Sequence, residues 1–89
     1  MRFEWHRAKA EENLRKHGVS FDEAVTVFYD ALSATFDDEE HSVDEARLIT
    51  VGYSARGRLL VLAHTERGAR VRIISARRAT ARERKRHET

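Results

Sequence analysis

The chain has 89 residues, 36% of them charged, with no cysteine, no proline and a formal net charge of +2. That length allows one small core and leaves no room for a separate cofactor-binding domain. The missing cysteines exclude a disulfide framework and thiolate chemistry, and with no apolar run near the roughly 18 residues of a membrane span and no signal peptide at the N-terminus, a soluble cytoplasmic protein is expected.

Met1 to Trp5 reads as a short strand with Phe3 and Trp5 on one face and Arg2 and Glu4 on the other. Trp5 is expected in the core, with base stacking as the lesser alternative. Arg7 to His17 is rich in helix formers and is stopped by Gly18. Lys9, Asn13, Lys16 and His17 recur at helical spacing, so they share a polar face that is either solvated or turned toward RNA or a partner. Ser20 and Glu23 make an S-x-x-E capping box, with Val19 and Ala24 at the staple positions. The helix it opens runs to about Tyr29, and Phe21, Ala24, Val25 and Phe28 form its core stripe.

Ala31 to Phe36 is a second predicted strand, and it runs into an acidic loop over 37–45. That loop carries Asp37, Asp38, Glu39, Glu40, Asp44 and Glu45 and reads as solvated, with docking of a basic partner as the alternative. Arg47 to Ser54 and Arg58 to Thr65 are the third and fourth strands, and Leu59 to Ala63 is apolar on both sides, as in a central strand. Arg70 to Arg78 is the fifth, and short Gly turns join the last three into an antiparallel meander. Thr80 and Glu83 repeat the capping box ahead of a helix to about His87 that has almost no apolar stripe. Alone it would fray, so packing or a partner must hold it. The whole is an α+β fold over residues 1–89: a mostly antiparallel sheet, two N-terminal helices on one side and a short C-terminal helix.

The charge is unevenly placed, with +7 over residues 67–89 and −5 over residues 1–66. A basic C-terminal quarter is an electrostatic footprint for a polyanion. Within it the strand Arg70–Arg78 carries four arginines, whose planar forks match phosphate oxygens two at a time. The plainer account is an edge strand blunted by charge. Arg70, Arg78, Arg82 and Lys85 are candidate RNA contacts in this region, and Lys16 and His17 are candidates on the first helix.

The four glycines are scattered, so there is no P-loop or dinucleotide fingerprint, and the five histidines lie too far apart for a metal motif. No cofactor is expected. Cleavage of RNA without a metal asks for less. The substrate 2′-OH attacks, and the protein removes its proton, stabilises charge on phosphorus and protonates the leaving 5′-oxygen. Fixed donors such as Arg72 and Arg77 suit the charge, and His87, Glu83 or His64 suit the protons. Each has a plainer role available: Glu83 as a helix cap, His64 as a core residue, His87 as part of a loose chain end. Arg72 and Arg77 differ in parity, so they share a face only if a bulge intervenes or the strand ends early.

Phe3-Glu4-Trp5, Lys9, Asn13, Lys16-His17-Gly18-Val19-Ser20-Phe21 and Glu23-Ala24 resemble the N-terminal half of the BrnT family of toxins. Ile49 to Ser54, Gly57 to Val61 and Arg72 to Ala79 with Glu83 resemble its C-terminal half. The resemblance implies a type II toxin with a RelE-like fold that cleaves RNA without a metal, arrests translation and is neutralised by a BrnA-like antitoxin. DNA would be met only through that antitoxin. It also implies that Arg72 and Arg77 contact phosphate and that Glu83 belongs to an active-site helix. Two positions depart from the family pattern: His6 stands where Asp is common, which weakens the first helix cap, and His87 stands where Tyr is frequent. A degenerate module that binds RNA or antitoxin without cutting is the alternative. A DNA-binding regulator is weaker, because no helix-turn-helix pattern is present.

Overall fold

A computed structural model describes residues 1–42 and 45–89. Val43 and Asp44, part of the predicted acidic loop, lie outside the described residues. The strands are β1 (Arg2–Trp5), β2 (Ala34–Asp37), β3 (Leu48–Tyr53), β4 (Leu59–Arg67) and β5 (Arg70–Arg78), and the helices are α1 (Arg7–His17), α2 (Phe21–Thr26) and α3 (Ala81–Glu88). They form one five-stranded sheet in the order β1-β5-β4-β3-β2. β1 runs parallel to β5 and the other three pairings are antiparallel, so the sheet is mixed. No described helix is long and apolar enough to cross a membrane.

The helix ends follow local chemistry. Ser20 Oγ accepts the Glu23 N–H at 3.0 Å, and a 3₁₀ turn over Val27–Tyr29 continues α2. α1 ends at Gly18, whose φ of 67° suits a residue without Cβ. At its other end His6 supplies no side-chain cap, in line with the departure noted at that position.

Val19, Phe21, Ala24 and Val27 pack against Leu60, Leu62, Val71, Ile73 and Ala76. Phe3, Trp5 and Phe28 close the margin of this core, and Trp5 meets Phe21 edge-on at 5.9 Å between ring centroids. Leu59 to Thr65 of β4 is buried throughout, as expected of a central strand.

Three departures from the sequence expectations come from long-range contacts. Asn13 is not part of an exposed polar stripe; it is 6% exposed. Its amide donates to the carbonyls of Val19 (2.9 Å) and Ala76 (2.8 Å) and accepts the Ala76 N–H at 3.1 Å. The side chain thereby acts as a stretch of strand along the edge of β5 that β1 leaves free, since β1 pairs only with residues 70–73. Glu23 does not complete its capping box: its carboxylate accepts from Ser54 Oγ (2.8 Å) and Arg58 Nε (2.9 Å), and Arg58 also reaches the Gly18 carbonyl at 3.0 Å. β2 starts at Ala34 rather than Ala31, because Asp30 makes a turn there, accepting the N–H groups of Leu32 (3.0 Å) and Tyr53 (2.8 Å).

That turn presses on Gly52. A Cβ at Gly52 would sit 2.8 Å from Ser33 Cβ and 2.9 Å from Val27 Cγ1. Gly52→Ala is therefore expected to destabilise the fold by about 1–3 kcal/mol, through overpacking. A thermal melt checks this; an unchanged midpoint would mean that the turn can move aside.

Candidate active site

Pairing across β4 and β5 slips by one residue. Ala63 pairs with Ser75 and His64 with Ile73, which leaves Ile74 as a bulge. Before the bulge the odd residues Val71 and Ile73 face the helices; after it the even residue Ala76 does. Arg72 and Arg77 consequently point out of the same face of the sheet, the one opposite α1 and α2. At about 3.3 Å per residue their Cα atoms lie roughly 15 Å apart, a separation suited to different phosphates of one strand.

α3 lies on this second face. Thr80 and Glu83 complete the capping box predicted for them: Glu83 N–H donates to Thr80 Oγ1 (3.1 Å) and Thr80 N–H to Glu83 Oε1 (2.8 Å). The same carboxylate takes a bidentate pair from Arg77, Nη1 to Oε1 at 2.7 Å and Nη2 to Oε2 at 2.9 Å. At the far end Tyr53 OH donates to Glu88 at 2.7 Å, and the Tyr53 ring stands 6.1 Å from that of His87. These side-chain latches hold a helix that lacks an apolar stripe.

The latch decides what Glu83 can do. Arg77 above all, then the Thr80 N–H, lowers its pKa to about 2. It is a fixed anion at neutral pH and a poor proton carrier, so its place is to orient Arg77. Of the five N–H groups on Arg77, two are held by Glu83 and one by the Arg78 carbonyl at 3.3 Å. Among the described residues, the remaining Nε–H and Nη2 N–H have no partner, and together they form one side-on fork.

His64 lies elsewhere. It is 2% exposed on the helix side of the sheet, 5.0 Å from the Phe28 ring, with Nε2 2.7 Å from Thr50 Oγ1. Burial pushes its pKa down. Its even parity on β4 turns it into the core, so it does not join Arg72 and Arg77. His87, one helical turn after Glu83, does share their face.

The candidate RNA contacts divide similarly. Arg70 lies on the face of Arg72 and pairs with Glu4 at 3.5 Å. Arg78, beyond the bulge, turns to the helix side and is separated from Arg77 by the sheet. Arg82 and Lys85 are exposed on α3. Lys16 and His17 line a groove between α1 and the β5 edge with Ile74 and Ser75, beside the bulge, and Lys16 is paired with Glu12 at 3.0 Å. Among the described residues no three histidine, cysteine or carboxylate groups come together as a metal site would need.

A family model described as the ribonuclease toxin BrnT of a type II toxin-antitoxin system matches residues 5–83. The chain belongs to the BrnT family. The fold is also that of a solved relative, the ribonuclease toxin BrnT of Brucella abortus, with a TM-score of 0.70 at 20% identity over 90% of this chain and 97% of that one. No curated protein sequence matches. Membership makes this a ribonuclease toxin whose system includes an antitoxin.

Tyr53, Phe36 and Arg86 also reach this face, and none of them carries a local sequence signal for it. Tyr53 stands as one more apolar position of β3. Only the pairing of β3 with its neighbours and the placement of α3 bring it to His87.

Proposed function

We propose that this BrnT-family toxin is a metal-independent endoribonuclease of RelE-like kind, acting in the cytoplasm, and that its site is the sheet face on which α3 lies. The observation that carries this is the free side-on fork of Arg77, aimed by a carboxylate that occupies its other edge. A guanidinium held in place stabilises developing phosphate charge without reorganising at the moment of reaction. Arg77 takes the scissile phosphate and Arg72 a neighbouring one. His87 handles protons, because imidazole suits transfer near neutral pH. The neutralising partner is a BrnA-like antitoxin that covers this basic face, and residues 1–89 act as one domain.

The test is cleavage of RNA by purified protein in EDTA, with the 3′ ends of the products identified. Cleavage that leaves 2′,3′-cyclic phosphates is expected. Arg72→Ala should weaken binding to all sequences alike and lower the slope of log affinity against log salt by about 0.7, one phosphate contact on a single strand. RNA binding without cleavage would instead support the binding-module reading.

A further inference from the structure

The register places Ala34 opposite Val51, Val51 opposite Val61 and Val61 opposite Arg77. These four residues form a straight row across the outer face of the sheet, from its β2 edge to the phosphate-binding arginine. At about 4.8 Å per strand, Val51 lies roughly 10 Å from Arg77. α3 spans this face from Arg77, held through Glu83, to Tyr53, held through Glu88, and Val61 between those strands is buried. Between α3 and the β2 edge the row opens into a groove of about 320 Å³. Leu32, Ala34, Phe36 and Val51 make its apolar floor, and Arg86 and His87 make its wall. Two of the floor residues are large and left in solvent, Phe36 at 53% and Leu32 at 78% exposure.

From this juxtaposition we infer that the groove is a nucleobase subsite: it receives one base of the single-stranded RNA, stacked on Phe36, while the adjoining backbone follows the basic wall of α3 past Arg86 toward Arg77. The inference rests on the proposed ribonuclease reading. An apolar ring beside a basic wall is the combination that single-strand binders use, with the charge following the backbone and the ring taking a base. The groove has the volume of a small-ligand site rather than that of a trough for a helix.

The charges around it also select a direction. Glu83 reaches the groove, but Arg77 and the Thr80 N–H already occupy its carboxylate. Beyond the end of β2 stand Asp38, Glu39 and Glu40, which repel phosphate at that end. The strand therefore leaves the groove toward Arg77 and not along β2. A floor of hydrocarbon engages the face of a base and not its edges, so the site accepts any of the four bases.

The experiment uses a 2′-O-methyl RNA oligonucleotide, which offers no 2′-OH for attack, carrying the fluorescent adenine analogue 2-aminopurine. Binding to the full-length protein should quench its fluorescence. Phe36→Ala should abolish the quench and weaken binding about tenfold, Phe36→Tyr should keep both, and the melting temperature should stay the same because the side chain is half exposed. A wild-type complex without quenching, or equal binding by Phe36→Ala, would overturn the subsite. So would a Phe36→Ala protein that loses affinity for antitoxin alone, which would make the groove a protein-docking surface. Quenching that depends on Phe36, with no cleavage of unmodified RNA, would uphold the subsite while the ribonuclease reading fails.

Discussion

Arg77→Ala is expected to lower kcat for RNA cleavage about 10²- to 10³-fold, the usual effect of removing one preorganised donor from a transition-state site. Single-turnover cleavage at saturating protein measures it directly. Arg77→Lys should recover little, because an ammonium cannot hold Glu83 with one edge and a phosphate with another. The competing explanation is that Arg77 only fastens α3. Tyr53→Phe with Glu88→Ala separates the two: it frees the far end of the helix but leaves Arg77 held by Glu83. If that double variant loses as much activity as Arg77→Ala, Arg77 acts through the helix and not on phosphate. The pH dependence follows from the sign of the shift. The folded pKa of Glu83, about 2, lies below its ordinary value of 4.5. The latch is therefore complete above about 4.5 and is lost as the pH falls toward 2. Activity should show no titration of the latch between pH 5 and 8. Any titration in that range belongs to another group.

The features legible in the sequence are those that depend on near neighbours. Ser20 and Thr80 cap helices because each lies three residues before the N–H it accepts. Gly18 ends α1 because the turn needs positive φ. Leu59 to Ala63 names the central strand by its composition. The shared face of Arg72 and Arg77 was legible only as a condition, since nothing in Arg70–Arg78 says where the strand bulges. The bulge is a property of the pairing between Ala63–His64 and residues 73–75. Asn13 and Glu23 likewise take their roles from distant partners. At helical spacing Asn13 is one polar residue among several, and what makes it structural is an edge of β5, 63 residues away in sequence. His64 carried a chemistry that its parity on β4 turns into the core. The apolar floor beside α3 has no local signature, because Leu32, Phe36 and Val51 come from segments that each read as ordinary strand or turn.

Glu23→Ala is expected to be among the most destabilising single changes in the chain. The carboxylate has a side-chain exposure of 5% and ties α2 to the β3–β4 turn through Ser54 and Arg58, with Arg56 3.7 Å away. Removing one partner of a buried pair costs about 3–5 kcal/mol, because the other charge is left without compensation. Arg58 keeps a side-chain exposure of 22% and can rehydrate in part, which favours the lower end. Each kcal/mol moves the midpoint of a domain this size by about 4–8 °C, so the loss should exceed 10 °C in a thermal melt. Hydrogen bonding from Arg58 first, then from Ser54, holds the Glu23 pKa below its ordinary value of 4.5. A depressed carboxylate contributes stability above its unfolded pKa and loses it as the pH falls through the folded value. The wild-type protein should therefore lose stability below about pH 4.5, and Glu23→Gln should show a shallower decline there. Replacing both partners by apolar side chains of similar size, Glu23→Leu with Arg58→Met, should recover much of the loss, because no charge is then buried alone. If the double variant melts no higher than Glu23→Ala, the penalty comes from the shape of this corner and not from the stranded charge.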